Sequence, residues 1–314
     1  MIAFALRRIV QIIPTLFIVC VAVFALIRLI PGDPAQAMLG ETATSEQIAA
    51  MRHTLGLDLP MPVQFARWLG DTLSGDLGQS IVNKLPVAPL VLDRAAVSGL
   101  IVLFAVSIAA AIAVPLGLIA AWRQNSLLDF GVVAGAAVLM SIPSFWLGLM
   151  LLLLFGLRLG WVPVVGYVPF SQSFSGGLLS IVLPVATLAA VECGSLLRMA
   201  RASAIEVLRL DYVTHARAKG VPEWRVLVRH VFPNSFGPTW TLIGLILGHL
   251  LGGIAVLETV FTLPGLGRLL VDSIFARDYP VIQGCLLFTA FVYVIVNLVV
   301  DLCYPLFDPR IALG

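Results

Sequence analysis

Only 11% of the 314 residues are charged and 60% are hydrophobic, giving a mean hydropathy of +1.04. A soluble domain carries about 25% charge, so a water-facing surface of ordinary polarity is excluded and lipid is the solvent this composition fits. The net charge of +2 with no basic tail excludes a nucleic-acid partner.

The chain opens with Arg7 and Arg8 ahead of a first apolar run, 9–30. Ala35, Gln36 and Ala37 imitate a signal-peptide cleavage site. The run is nevertheless longer than a signal core, and Arg28 and the turn residues Pro31, Gly32, Asp33 and Pro34 close it, so it reads as a retained membrane helix. The segment 31–96 is the one stretch of soluble character. Ser45 is expected to cap a short helix through Thr54, Gly56 to end it, and Gly70, Gly75 and Pro86 to punctuate the remainder. It fits an external docking element or a packing cap over a bundle equally well.

Five further apolar runs follow at 97–121, 127–155, 178–200, 236–260 and 281–306. Each exceeds the roughly 20 residues that cross about 30 Å of hydrocarbon as a helix. Pro14, Pro115, Pro143, Pro184 and Pro238 lie within or at the ends of five of the six runs, which membrane bundles tolerate because neighbours satisfy the freed carbonyls. Basic residues set the expected orientation. Arg7, Arg8, Arg123, the dense stretch 198–229 and Arg310 share the cytoplasmic side with both termini. The external side holds 31–96, long enough to translocate whatever its charge.

No GxxxxGK[ST] phosphate loop, HExxH, GxSxG or carboxylate pair occurs. Gly194 and Ser195 beside Glu192 lack the His that a membrane protease needs. The cysteines Cys20, Cys193, Cys285 and Cys303 sit singly in apolar runs and read as small hydrophobes, not disulfides or metal ligands. Ionisable groups within the runs are Glu192, His249, Glu258 and Asp301, with Arg198 near an end. Such groups are costly in lipid and face a cavity or a partner. Glu192, His249 and Glu258 are therefore the candidate pathway groups, against a structural hydrogen bond for Glu192 and simple hydration near an interface for Glu258 and Asp301. Gly244, Gly248 and Gly252 share one helical face and offer a smooth groove for close helix packing, within the monomer or between subunits.

The polar stretch 202–233 carries amphipathic patterns. Trp224, Leu227, Val228 and Val231 fall at i, i+3, i+4 and i+7, with Arg225 and Arg229 on another face. Gly220 can end one helix, Pro222 suits the first turn of the next, and Glu223 complements its dipole. The expectation is a helix–turn–helix on the cytoplasmic side, shaped for a partner's groove or for the membrane surface.

Asp211, Tyr212, Val213, Thr214, His215, Ala216, Arg217, Ala218, Lys219 and Gly220, followed at a distance by His230, Val231, Phe232 and Pro233, resemble the EAA loop of ABC importer permeases. Ala216, Gly220 and Pro233 match. Thr214 stands at the position usually occupied by Glu, His215 follows it, and His230 and Phe232 replace aliphatics. The resemblance extends along nearly the whole chain and is closest to the dipeptide/oligopeptide (and nickel) permeases. It includes the N-terminal segments Leu6-Arg7-Arg8-Ile9 and Arg28-Leu29-Ile30-Pro31-Gly32-Asp33-Pro34, then Gly75-Asp76-Leu77-Gly78 and Ile142-Pro143-Ser144-Phe145-Trp146. Later matches are Glu258-Thr259-Val260-Phe261, Leu263-Pro264-Gly265-Leu266-Gly267, Ala276-Arg277-Asp278-Tyr279-Pro280 and Asp308-Pro309-Arg310.

The resemblance implies an all-α integral membrane protein: one permease domain over 1–314, a six-helix type I ABC importer bundle with a cytoplasmic coupling loop at 201–235. It implies docking of Thr214, His215, Ala216, Arg217, Ala218, Lys219, Gly220, Val221, Pro222 and Glu223 on an ATPase subunit. It implies as partners a second homologous permease, two ABC ATPases and an external substrate-binding protein, in the bacterial cytoplasmic (inner) membrane. ATP and Mg would sit on the ATPases, with no cofactor or catalytic residue here. Peptide is the expected substrate, with nickel chelates or glutathione as alternatives. An ion-coupled secondary transporter would show inverted repeats, and this sequence has no internal self-similarity.

Overall fold

The computed structural model describes residues 2–29, 34–39, 43–54 and 56–306. Pro31, Gly32 and Asp33 of the expected turn, and Asp308, Pro309 and Arg310 at the end, lie outside them. Among the described residues there is no strand, only an isolated bridge between Gln79 and Pro86. Helix α1 (Ile2–Leu29) leads to the short α2 (Pro34–Leu39), α3 (Ser45–Thr54) and α4 (Met61–Leu73), then to the long α5 (Val87–Trp122). Next come α6 (Leu127–Ser141) and α7 (Ser144–Leu151), the latter continued by a π-helical stretch, Leu152–Arg158. After α8 (Phe174–Leu208) the chain folds into α9 (Asp211–Ala218) and α10 (Glu223–Val226). A second π-helical stretch, Leu227–Val231, runs on into α11 (Phe232–Gly253), followed by α12 (Ala255–Val260), α13 (Leu266–Ala276) and α14 (Tyr279–Cys303).

Among the described residues, five single helical stretches are long and apolar enough to cross a membrane: Leu6–Leu26, Val87–Trp122, Phe174–Leu208, Glu223–Gly253 and Tyr279–Cys303. The expected third span, 127–155, is present as a pair, Leu127–Ser141 and Ser144–Arg158, bent by 96° at Ile142 and Pro143, which makes a sixth crossing if the pair is one broken span. Pro143 supplies no N–H, and the residue before a proline is pushed out of the α region. Ile142 accordingly sits at φ −88°, ψ 124°. The expected fifth span, 236–260, is shifted as well. Its helix runs in from Glu223 and stops at Gly253, leaving α12 as a separate element.

The main core joins α5, α8 and α11 through residues such as Ile101, Ala105, Ile181, Leu196, Ile246 and Ile254. Glycines set the closest approaches. A Cβ on Gly117 would lie 2.9 Å from both the Ala200 Cβ and the Leu197 carbonyl oxygen, so α5 and α8 touch nearly backbone to backbone. Helix α4 rests on α1, its Phe65 and Trp68 packing on Phe24 with ring centroids 5.2 and 5.6 Å apart. Arg28 of α1 donates to Gln64 of α4 at 2.6 Å.

Two turn details differ from or extend the sequence reading. The cap of α3 is Thr44, not Ser45. Thr44 Oγ1 accepts from Gln47 N while Gln47 Oε1 accepts from Thr44 N, a reciprocal capping box. Helix α13 ends with Arg277 in the left-handed region, φ 56°, where a Cβ is strained. Arg277 is exposed, so Arg277→Gly is expected to stabilise the purified protein by about 1 kcal/mol. A lowered thermal midpoint would show instead that the side chain holds a contact worth more than the strain.

Candidate functional site

The loop between α8 and α11 is built on a small apolar seam. Val213 and Ala216 of α9 and Val226 of α10 are buried with Leu227 and Val231 against Ala204 and Val207 of α8 and Ala121 of α5. At the turn, Gly220 N donates to the Arg217 carbonyl at 2.9 Å and Val221 N to the Ala216 carbonyl at 3.3 Å. This is a Schellman closure, which needs a left-handed residue, and Gly220 supplies φ +74°. Across the turn Arg217 grips Glu223 with both arms, Nε to Oε1 at 2.9 Å and Nη2 to Oε2 at 3.2 Å. Being partly exposed, this pair orients the turn more than it stabilises it.

Of the ten residues expected to dock, Ala216 is buried, and Val221 and Glu223 are half-buried. Thr214, His215, Arg217, Ala218, Lys219, Gly220 and Pro222 are exposed. The expected amphipathic face of the following helix is corrected. Leu227 and Val231 are buried, but Trp224 and Val228 are exposed beside Arg225 and Arg229, and the buried partner is Val226. The π-helical stretch 227–231 widens the turn and rotates the face away from the i, i+4 pattern.

The candidate pathway residues separate into two kinds. Glu192 on α8 is half-buried and lies within electrostatic reach of His249 on α11, which is exposed on this chain. Glu258 is corrected: it neither lines an opening nor is hydrated, being fully buried. Its Oε1 accepts from Ser98 Oγ at 2.5 Å and its Oε2 from Arg268 N at 2.7 Å, while Ser98 Oγ accepts from Leu266 N at 2.8 Å. Carboxylate and hydroxyl together satisfy first-turn N–H groups of α13, where a negative charge is favoured. Asp301 is partly exposed, as hydration near an interface requires, and also pairs with Arg8 of α1 at 3.1 Å.

Gly244, Gly248 and Gly252 face α14 of the same chain. Added Cβ atoms would lie 2.2 Å from Val300 Cγ2, 2.4 Å from Tyr293 Cδ2 and 3.2 Å from Thr289 Cγ2, in that order.

Two polar contacts escaped the sequence reading. Asp129 at the start of α6 receives Arg201 of α8 in a bidentate pair, 2.6 and 2.7 Å, and also accepts from Asn125 N. The signal was present in Ser126 three residues before Asp129, a helix-start pattern. Asp278 ties the segment before α5 to the start of α14, accepting from the Ser80 hydroxyl and from Ile81 N. Sequence could not pair groups so far apart.

Residues 113–313, from the end of α5 through α14, match the family described as Binding-protein-dependent transport system inner membrane component. The chain belongs to this family. Residues 1–98 match its companion N-terminal family, Binding-prot-dependent transport system membrane comp, N-term. This permease is 42% identical over 311 residues to a putative peptide transport system permease protein of Brucella suis biovar 1 (strain 1330). It is 36% identical over 314 residues to the oligopeptide transport system permease protein AppB of Bacillus subtilis (strain 168). It is 39% identical over 311 residues to the glutathione transport system permease protein GsiC of Salmonella paratyphi A (strain ATCC 9150 / SARB42). Each alignment covers 99% of both chains. The α8–α11 loop is thus part of an ABC importer permease.

Proposed function

We propose that this permease pairs with a second, homologous permease in the bacterial cytoplasmic (inner) membrane, both termini cytoplasmic, and passes peptides delivered by an external substrate-binding protein. Two separate ABC ATPase subunits hold ATP and Mg2+, and this chain supplies no catalytic residue. Glu192 and His249 are the polar groups of the pathway wall. The names of the Brucella and Bacillus relatives support a peptide substrate. The Salmonella relative's glutathione is a γ-linked tripeptide and falls in the same class.

The observation that carries the reading is the α9–Gly220–α10 element. It carries exposed residues, while its buried face is packed onto α5 and α8 through Val213, Ala216 and Val226. Such packing is nearly incompressible, so displacement of the exposed residues by an ATPase is passed to the membrane helices. Gly220 has no atom within 4 Å of where a Cβ would stand, but its φ is +74°. A β-branched residue there is strained by roughly 1–3 kcal/mol without any clash inside the chain.

Gly220→Val and Gly220→Glu are therefore expected to leave the spans inserted and the complex assembled. Uptake and binding-protein-stimulated ATP hydrolysis should fall together, because one element links the two sites. The reconstituted complex is assayed with and without loaded binding protein. Full stimulation and normal uptake in both variants would show that another element does the coupling.

A further inference from the structure

Arg198 and Arg201 sit one turn apart on α8 and have different company. Arg201 delivers both arms to Asp129. Arg198 donates only to the Met140 thioether, Nη1 to Sδ at 3.8 Å, and no carboxylate among the described residues is within ion-pair distance of it. A guanidinium holds five N–H donors, cannot lose its charge, and finds in sulfur only a weak acceptor. Arg198 is exposed, so these donors are open to water or to an incoming anion.

Its surroundings are unusual in a second, independent way. Met140 is the residue before Ser141, where α6 ends and the backbone turns by 96° into α7. The last carbonyls of α6 have no helical partners. At membrane depth, non-helical backbone stands only where protein covers it or where it lines a water-filled cavity. In this chain Ser141, Pro143, Phe145 and Trp146 at the break are exposed. Gly194 lets the end of α6 reach α8: a Cβ there would lie 2.7 Å from Met140 Cγ and 2.8 Å from the Ala136 carbonyl oxygen. Between the two helices is an open groove of about 570 Å3, lined among others by Val133, Met140, Ser195, Arg198, Met199 and Arg201.

Resting on the peptide reading above, we infer that this groove is a hydrated anion subsite of the pathway in which Arg198 takes the carboxylate of the transported peptide. A guanidinium matches a carboxylate with two parallel N–H bonds. A lipid phosphate is the other source of the same chemistry. An arginine serving headgroups reaches out toward the end of its span. Arg198 instead meets the same Met140 that covers Gly194, a turn further back along α8, as helical side chains directed toward the N-terminus do.

The test uses the full importer complex in proteoliposomes, with Cys20, Cys193, Cys285 and Cys303 replaced by alanine and Ser195→Cys as the reporter. Modification rates are measured with an anionic and a cationic methanethiosulfonate, each divided by its rate with free cysteine. The anionic reagent should be favoured. Arg198→Gln should shift the ratio roughly tenfold toward the cation, and Arg198→Lys should largely keep it. A peptide with a free C-terminus should slow the labelling, and its C-terminal amide should not.

No labelling by either reagent in a complex that still transports would overturn the hydrated groove. An unchanged ratio in Arg198→Gln would overturn the anion subsite. A ratio that follows the exchange of phosphatidylglycerol for phosphatidylcholine and ignores peptide would assign the site to lipid, against the proposal. Failure of the parent complex to take up any peptide, with the charge ratio intact, would overturn the peptide reading and leave the anion subsite standing.

Discussion

Glu258→Ala is expected to prevent recovery of folded permease, while Glu258→Gln survives with a modest loss. The carboxylate accepts from Ser98 Oγ and Arg268 N in a site with no access to water. Alanine removes both acceptors. An orphaned buried donor costs roughly 1–3 kcal/mol, so two donors and the space left behind amount to about 3–6 kcal/mol. That is a large part of an ordinary folding free energy of about 5–15 kcal/mol. Glutamine keeps one acceptor oxygen for Arg268 N. Its amide can donate to Ser98 Oγ, whose own hydrogen has the Arg94 carbonyl at 3.4 Å as a second acceptor.

The surrounding backbone leaves no freedom to rearrange. A Cβ on Gly265 would stand 2.0 Å from Glu258 Oε1, and one on Gly267 would stand 2.8 Å from Ala255 N. Gly265→Ala should therefore copy the Glu258→Ala defect by expelling the carboxylate. Thermal unfolding and size-exclusion recovery in detergent are the measurements. An alanine variant that melts within ~2 °C of the parent would mean that the carboxylate is dispensable to the fold.

The contrast with Gly220 explains what the sequence made legible. A helix stop at Gly220 depends on residues within one turn of it, and the Schellman bonds from Gly220 and Val221 are local. The long apolar helices α1, α5, α8 and α14 were readable for a similar reason, because length and composition alone satisfy the bilayer. The role of Glu258 depends on Ser98, 160 residues earlier, and no periodicity encodes that. Proline was equally uninformative alone. Pro14, Pro115, Pro184 and Pro238 remain inside helices, whereas Pro143 ends one. The difference lies in what receives the chain after the break. Gly148 of α7 seats against Phe261 and Leu257, with an added Cβ 3.0 and 3.2 Å away. The outward turn of Trp224 and Val228 follows from a π-helical register that a 3.6-residue pattern cannot anticipate. At the candidate site, the local turn that exposes most of 214–222 was thus visible in sequence, and the bend at Pro143 and the surroundings of Arg198 were not.

Gly248→Leu is expected to separate α11 from α14 and to cost the complex its assembly. The ideal Cβ at this position lies 2.4 and 2.8 Å from Tyr293 Cδ2 and Cε2, closer than real side-chain contacts allow. The Tyr293 ring is exposed along an open groove, so it can turn partly outward, and the helices must part for whatever clash remains. Overpacking of this kind costs about 1–3 kcal/mol, occasionally more. The same seam carries Gly244 against Val300 and the Trp240 indole N–H donating to the Val300 carbonyl at 3.2 Å. Displacement at Gly248 therefore strains that hydrogen bond as well. Because the clash is with one identified ring, it can be relieved. Tyr293→Ala in the Gly248→Leu background should restore part of the lost thermal stability and of the yield of assembled complex. Tyr293→Ala alone should lower both only slightly, because the ring is partly exposed, so the two changes combine non-additively, as touching residues do. Additive losses in the double variant, or normal assembly of Gly248→Leu alone, would place the Gly248 face against something other than Tyr293 in the assembled importer.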